Sequence, residues 1–413
     1  MHPILSGRTV LEIGSMLSAP FATHILAQLG ASVIKIEPPA GDPTRNMFRG
    51  GPGGSFIASN HGKRSVCLDL KDPAGRAALE LLLARADVVV HNLAPASARS
   101  LRLTHADCVA ANPRVVFCHI QGYGPGPLAD EIASNPVIEA STGVMFGHRI
   151  NGRPTRLSPS YHDQFAGTYA VIGILAALQA PADDQRARRV ELGLYETGLH
   201  VGGRDYVQAQ LKEHFGVRSD PAADPGEFAM PGYGAHATAD GRWLFLLMLT
   251  DGHWARFVSA LALTGQYDPE LDQLRVRKKR RDEAETLVRT ALGALPWAEA
   301  EARLRAAGVG FTEVRAPGAV LSDPQARQPG KLARTELDGL AFEIPNLPLP
   351  NQLAASSIEQ APPQLGEHTF AVLAEAGLSP AECAALEHSG AARRATQPGP
   401  KWAPPRHGPG APP

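Results

Sequence analysis

The chain has little cysteine: four residues in 413, Cys67, Cys108, Cys118 and Cys383. None forms a C-x-x-C pair and no Cys/His spacing suits zinc, so neither a disulfide scaffold nor a metal site is expected. Four scattered thiols fit reduced cysteines in a cytoplasmic protein. An excess of one charge is also lacking. Forty Lys and Arg stand against 41 Asp and Glu, a balance that offers no overall field for nucleic acid or a membrane surface. No apolar run reaches the roughly 20 residues of a membrane helix. Met1-His2-Pro3-Ile4-Leu5 lacks a basic segment followed by an apolar one, so no signal peptide is expected. There is no internal repeat.

What is present is apolar sequence, 44% of the chain, enough for a large core spread over two or three folding units. The first 40 residues read as β-α-β. Thr9 to Ile13 (TVLEI) and Ser32 to Ile36 (SVIKI) are strands, and Pro20 to Leu29 between them has helical apolar spacing and stops at Gly30. Ala74 to Ala84 is a second helix opened by Asp72-Pro73, followed by strands Asp87 to His91 and Val115 to His119. Gln164 to Leu178 is an apolar core helix, Arg189 to Leu194 a further strand, and helical text runs on to about His214. Strands alternating with helices imply a parallel sheet covered on both faces. Val217 to Glu227 reads as a loop, Ala237 to Met248 as a hairpin turning at Asp240-Gly241, and Phe311 to Val314 as a strand after charged helices. The fold class is therefore α/β: a Rossmann-like large domain made by both chain ends, with a smaller inserted α+β domain. Residues 1–215 and 323–391 form the large domain, 216–322 the small one, and 392–413, rich in Pro and Gly, a disordered tail.

Several motifs carry more than one reading. The opening β-α-β and Glu37 invite a dinucleotide site. The first turn, Gly14-Ser15-Met16-Leu17-Ser18-Ala19-Pro20, lacks the G-x-G-x-x-G glycines and argues against it. The basic run Arg275 to Arg281 reads as a solvated loop and helix start. Gly122-Tyr123-Gly124-Pro125-Gly126 is a sharp turn or a ligand loop. His162-Asp163 precedes the apolar helix. Asp163 there fits an N-cap, or a carboxylate kept ionised by the helix dipole and available as a nucleophile.

Taken in order, six blocks resemble one family from about Leu5 to Ala391. They are LSGRTVLEIGSMLSAP at Leu5 to Pro20, LGASVIKIEPPAGDPTR at Leu29 to Arg45, NHGKRSVCLDLK at Asn60 to Lys71, Asn112 to Gly124, His162 to Leu178, and QLGEHT at Gln364 to Thr369. Together they resemble the family III CoA-transferases, the CaiB–BaiF group, which also contains α-methylacyl-CoA racemases.

The resemblance implies transfer of CoA from an acyl-CoA to a carboxylic acid, with Asp163 as nucleophile through a mixed anhydride and an aspartyl-CoA thioester. It places Ser18, Arg45, Lys63, Asn92, Leu93 and Arg99 in CoA-contact regions, with His61 to Arg64 and His91 to Leu93 near the adenosine part. Arg45 is the expected bidentate partner of a phosphate. Gly232 and Gly234, in Pro231-Gly232-Tyr233-Gly234, stand nearest the family's glycine run as a substrate loop. An interlocked homodimer is implied, with no metal and no cofactor beyond CoA itself.

Three departures matter. Asn135 replaces an acid in Ser134-Asn135-Pro136, as in carnitine-related members, and is retained as a catalytic-site residue able to hydrogen-bond the nucleophile. Leu17 stands where formyl-CoA-transferase-like members have glutamine, which argues against oxalate and formate. Ser134 stands where a racemase would need histidine, which disfavours α-proton exchange. A reading of another class also remains at this stage: a non-catalytic CoA-binding protein in which Asp163 only caps its helix.

Overall fold

A computed structural model describes residues 3–49, 51–181, 184, 188–217, 230–337, 339–350 and 360–395. The first 200 residues alternate strand and helix. The principal strands are β1 (Thr9–Glu12), β2 (Ser32–Glu37), β3 (Arg64–Leu68), β4 (Val88–His91), β5 (Val116–Gln121) and β6 (Arg189–Gly193), with β7 (Ala392–Arg393) added by the far end of the chain. They form one sheet in the order β7-β3-β2-β1-β4-β5-β6. Every pairing in it is parallel except β7 with β3. The helices that bear on the site are α1 (Ser18–Gln28), α2 (Gly54–Asn60), α3 (Pro73–Leu83), α4 (Asn135–Ser141), α5 (Tyr161–Gln179) and α6 (Leu194–Val201).

Alternation along the strands explains the layers. Val10, Val88, Val90, Val116, Cys118 and Ile120 point to one face, where Ala19, Ala22 and Leu26 of α1 and Ala166, Ala170 and Ile174 of α5 cover them. Leu11, Val89 and Phe117 point to the other, against Leu79 and Leu82 of α3 and Val372 and Leu373 near the C-terminus. Both faces are dry, which is why the strands read as continuous apolar runs. The α3 start follows its expected chemistry: the Asp72 side chain accepts from Ala74 N at 2.8 Å, with Pro73 in the first turn. Helix α5 is a core helix on one side only, because Phe165 and Ile172 are exposed.

The described residues divide into two compact units, one drawn from 1–206 with 328–395 and the other from Val207–Arg327. The second unit has its own core around Trp254, Phe257, Leu271, Val288, Leu292 and Leu304. Its three-stranded antiparallel sheet pairs Trp243–Leu246 with both Gly234–Ala237 and Phe311–Glu313. Gly241, in the hairpin turn, has φ +78°, a conformation that favours glycine.

Two expectations need correction, and two elements were missed. Ala392 and Arg393 do not open a tail but pair with Leu68 and Cys67 as an edge strand; residues 396–413 lie outside the described residues, as do 218–229 of the expected loop. β3 and the hairpin Leu332–Leu337 with Leu340–Pro345 were not anticipated. Arg277, within the supposed solvated run, is fully buried. It donates to the carbonyls of Leu271 and Asp272 and to the Asp251 carboxylate, and lies over the Trp254 ring. In that unit Trp254 packs the core while Trp243 is half exposed.

His24, His61 and His91 are buried in the large unit, and burial pushes each below the ordinary histidine value of 6.5. The unfolded chain therefore takes up protons first as pH falls below about 6.5. Stability present above that value is lost on acidification, at up to roughly 1 kcal/mol per histidine per pH unit. Urea midpoints are expected to fall between about pH 7.5 and about pH 5.5, and the decline should be shallower in His91→Leu; a flat profile would contradict it.

Candidate active site

The turn after β1 rests on charge buried in the sheet. Glu12 and Lys35 are direct cross-strand partners on β1 and β2, and both are fully buried. Lys35 Nζ donates to Glu12 Oε1 at 2.6 Å and to the Gly14 carbonyl at 3.0 Å, and lies 3.0 Å from Asp42 Oδ2. Lys63 Nζ donates to Glu12 Oε2 at 2.6 Å, the Pro20 carbonyl at 2.9 Å, Thr23 Oγ1 at 2.9 Å and Asn60 Oδ1 at 3.1 Å. Burial by itself would raise the Glu12 pKa, but the two ammonium groups overcome it and hold the carboxyl below its ordinary value. Lys63 goes down to about 8, from burial first and from Lys35 as well.

These contacts fix both ends of the Gly14–Ser18 turn. Met16 there takes φ +68°, rare for a side chain of its size, while its N–H points to Asp42 Oδ1 at 3.4 Å. Asn92, just beyond β4, clamps the turn from the other side. It accepts from Ser15 N at 3.0 Å and donates to the Ser15 carbonyl at 2.8 Å and to Ser18 Oγ at 3.1 Å. Ser18 and Asn92, 74 residues apart in sequence, are thus brought together.

Asp163 lies in the first turn of α5, as its third residue rather than its N-cap; Ser160 holds the N-cap position. The first-turn donor is satisfied from outside instead, because Asn135 Oδ1 accepts from His162 N at 3.0 Å. Asn135 Nδ2 in turn donates to Glu139 Oε1 at 2.6 Å, and Glu139 Oε2 accepts from Leu157 N at 3.0 Å. Glu139 is fully buried. Its negative charge adds to the loss of water around Asp163, and the Asp163 carboxyl is pushed up to about 6. The expected effect of the helix dipole is outweighed by burial first and Glu139 second.

Packing against α1 locates this face of α5. Gly167, one turn further along the same face of α5, lies against α1, where a Cβ would come within 2.9 Å of the Ser18 carbonyl. Asp163 therefore lies one helical turn from the Gly167 contact with Ser18. Its neighbour His162 is turned into the protein: its Nε2 is 3.4 Å from Thr142 Oγ1, and a Cβ on Gly198 of α6 would meet its ring at 2.9 Å.

This site can now be set beside known proteins. The family model of CoA-transferase family III matches residues 5–369. The chain belongs to that family. It is an enzyme, a CoA-transferase of the CaiB–BaiF group. Succinate–glutarate CoA-transferase of Agrobacterium fabrum is 28% identical over 392 residues, covering 90% of this chain and 96% of that protein. Formyl-CoA:oxalate CoA-transferase of Streptomyces coelicolor is 28% identical over 409 residues, 94% of this chain and 98% of that one. A CaiB/BaiF family protein from Brucella suis superposes with a TM-score of 0.77 at 25% identity, covering 91% of this chain and 100% of that structure.

The other expected CoA-contact residues of this family III enzyme have varied surroundings. The Arg45 fork is already taken up by Glu37, through Nε to Oε2 at 2.7 Å and Nη2 to Oε1 at 2.6 Å, and it stacks 4.2 Å from the Phe56 ring centroid. The bidentate partner of Arg45 is thus a carboxylate of the protein. Lys63 is enclosed beneath the turn, so both cations hold the framework together. The Leu93 carbonyl receives His119 Nε2 at 2.8 Å. Arg99 is on the surface, 3.3 Å from Asp130. Gly232 and Gly234 belong to the second unit. There Gly232, at φ +80°, donates its N–H to Glu285 Oε1 at 3.0 Å, and Gly234 opens a strand. Among the described residues, no group of His, Cys, Asp and Glu is placed to hold a metal, and no helix is long and apolar enough to cross a membrane.

Sequence reasoning passed over Glu139, Glu12, Lys35 and Asp42. A signal existed for three of them. Glu12 and Lys35 interrupt apolar strands, where an ionisable residue needs a buried partner, and Glu139 falls four residues after Asn135 on one helix face.

Glu12→Gln leaves two buried ammonium groups sharing a neutral acceptor. A loss of about 3–5 kcal/mol in urea-denaturation stability is expected; a loss below about 1 kcal/mol would show that the lysines find other partners.

Proposed function

We propose that the enzyme moves CoA from an acyl-CoA thioester to a carboxylic acid, with the Asp163 carboxylate as covalent carrier. The observation that carries the proposal is the state of that carboxyl: half-buried, pushed up to about 6 by burial and Glu139, and one helical turn from the Gly167 contact with Ser18. A carboxylate of this kind is ionised at neutral pH yet more basic, and so more nucleophilic, than a solvated aspartate.

In this mechanism Asp163 Oδ attacks the thioester carbonyl. The C–S bond breaks, CoA leaves as thiolate, and an aspartyl–acyl anhydride remains. The thiolate then attacks the Asp163 carbonyl carbon, expelling the donor acid as carboxylate and leaving an aspartyl-CoA thioester. The acceptor carboxylate attacks that carbonyl, forms a second anhydride and releases CoA thiolate. Attack of the thiolate on the acceptor carbonyl gives the new acyl-CoA and frees Asp163. Each step exchanges one acyl bond, so no oxidant, metal or further cofactor enters. Asn135 holds the start of α5 through His162 N, and so orients the nucleophile.

The carboxylate substrates of the relatives, succinate and glutarate among them, make a small dicarboxylic acid the first acceptor class to assay. An interlocked cytoplasmic homodimer is part of the same reading, and light scattering measures its mass. Proton shuttling of the racemase kind is less well supported: Ser134 is exposed, and the His162 ring is packed against Thr142 and Gly198.

Asp163→Asn should abolish transfer while CoA binding persists. Wild-type enzyme incubated with succinyl-CoA and quenched with hydroxylamine or borohydride should show modification on the Asp163 peptide by mass spectrometry. Surviving transfer in Asp163→Asn would overturn the mechanism. The raised pKa also predicts stability. A carboxyl whose folded pKa exceeds its ordinary 3.8 favours the native state at low pH and costs stability once pH passes about 6. Asp163→Asn is therefore expected to gain on the order of 1–2 kcal/mol at neutral pH.

Glu139→Gln removes the neighbouring charge. The acidic limb of the pH–kcat/KM profile should move to lower pH, and an unmoved limb would place the titrating group elsewhere.

A further inference from the structure

The opposite end of the large sheet carries a separate concentration of positive charge. A recess of about 240 Å³ is lined in part by Arg8, Arg85, Asp87, Arg114 and Arg188. Arg8, Asp87 and Arg188 immediately precede β1, β4 and β6, and Arg114 stands two residues before β5. All belong to the N-terminal ends of the parallel strands. The Gly14–Ser18 turn and Asn92 follow the C-terminal ends. Strands of this length separate the two ends by roughly 13–20 Å, so the recess is distinct from the site described above.

The charges in it do not balance. Asp87 is the single acid among the lining residues, and its carboxylate accepts Arg8 Nη1 at 2.7 Å and Thr9 N at 2.8 Å. Arg85 donates to the Glu375 carbonyl, and Arg188 Nη1 to the Arg114 carbonyl at 3.0 Å. Neutral carbonyls satisfy hydrogen bonds but leave the charge in place. Arg188 is only 8% exposed, and its Nε is buried without a partner among the described residues. A buried guanidinium is ordinarily paired or fully hydrogen-bonded, since desolvating the charge is costly. Four guanidinium groups and one carboxylate in the lining leave donors and positive charge for a multiply charged anion, and guanidinium forks match phosphate oxygens two at a time.

We infer that this recess binds a phosphate-bearing anion, at a site separate from the one that handles CoA. A monocarboxylate would neutralise only part of the excess, whereas a diphosphate carries two or more negative charges in a group small enough for the volume. Binding there would stabilise the sheet edge by linkage, and salt would weaken it at the exposed arginines.

The test is calorimetric titration of the full chain with inorganic pyrophosphate at low ionic strength, with and without saturating CoA. The expected result is one pyrophosphate per chain whose affinity is unchanged by CoA. Arg114→Gln, at an exposed position, should weaken it about tenfold or more with transferase kcat unchanged. Arg188→Gln should weaken it as much while Arg188→Lys restores part of the loss, circular dichroism confirming that each variant folds. Displacement of pyrophosphate by CoA would assign the binding to the CoA site and overturn the inference. So would equal affinity in the arginine variants, or no binding up to about 10 mM.

Discussion

One buried carboxylate organises the active end of the large unit. Glu12 sits inside the sheet between the ammonium groups of Lys35 and Lys63, and the three come from β1, β2 and the segment just before β3. Each lysine carries the order outward. Lys35 holds the Gly14 carbonyl, while Lys63 holds the Pro20 carbonyl in the first turn of α1. The turn between these anchors keeps Met16 at positive φ. Such an arrangement is rigid because every alternative leaves a charge unpaired in a medium of low dielectric.

The second half of the site has the opposite character. Among the described residues, no cation pairs with Asp163. It shares its surroundings with Glu139, and water is partly removed. A fully paired aspartate would be more stable and a poorer nucleophile. The protein therefore keeps strongly satisfied charge under the turn and weakly satisfied charge at the start of α5, which suits the role proposed for Asp163, since reactivity commonly costs stability. Asn135 joins the two demands, since it caps the helix through His162 N without placing a positive charge near Asp163.

Much of the fold was legible because it depends on local rules. Apolar strands separated by helical spacing announced a parallel sheet with two dry faces, and Asp72-Pro73 announced a helix start. The pieces missed have weak local signals. β3 reads as one short, mixed run, β7 is two residues long, and neither has a pattern until β2 and β3 offer an edge to pair with. Arg277 looked solvated because a basic run has no sequence mark for the one member that lies over Trp254 and reaches Asp251.

The sequence alone was enough to nominate Asp163, since six ordered blocks place it in a CoA-transferase pattern, and to mark Asn135 as a residue able to hydrogen-bond it. It also determined the α/β class, because periodicity and turn chemistry are properties of neighbouring residues. Tertiary structure decided what each charged group does. Arg45 was expected at a phosphate and Lys63 near the adenosine part, yet Glu37 pairs with the first and Glu12 with the second. Asp163 could have been a cap, but Ser160 holds that position, Asn135 meets the first-turn donor, and burial with Glu139 raises the basicity of Asp163. Charge, unlike apolar spacing, acts through space, so its role is set by partners far along the chain.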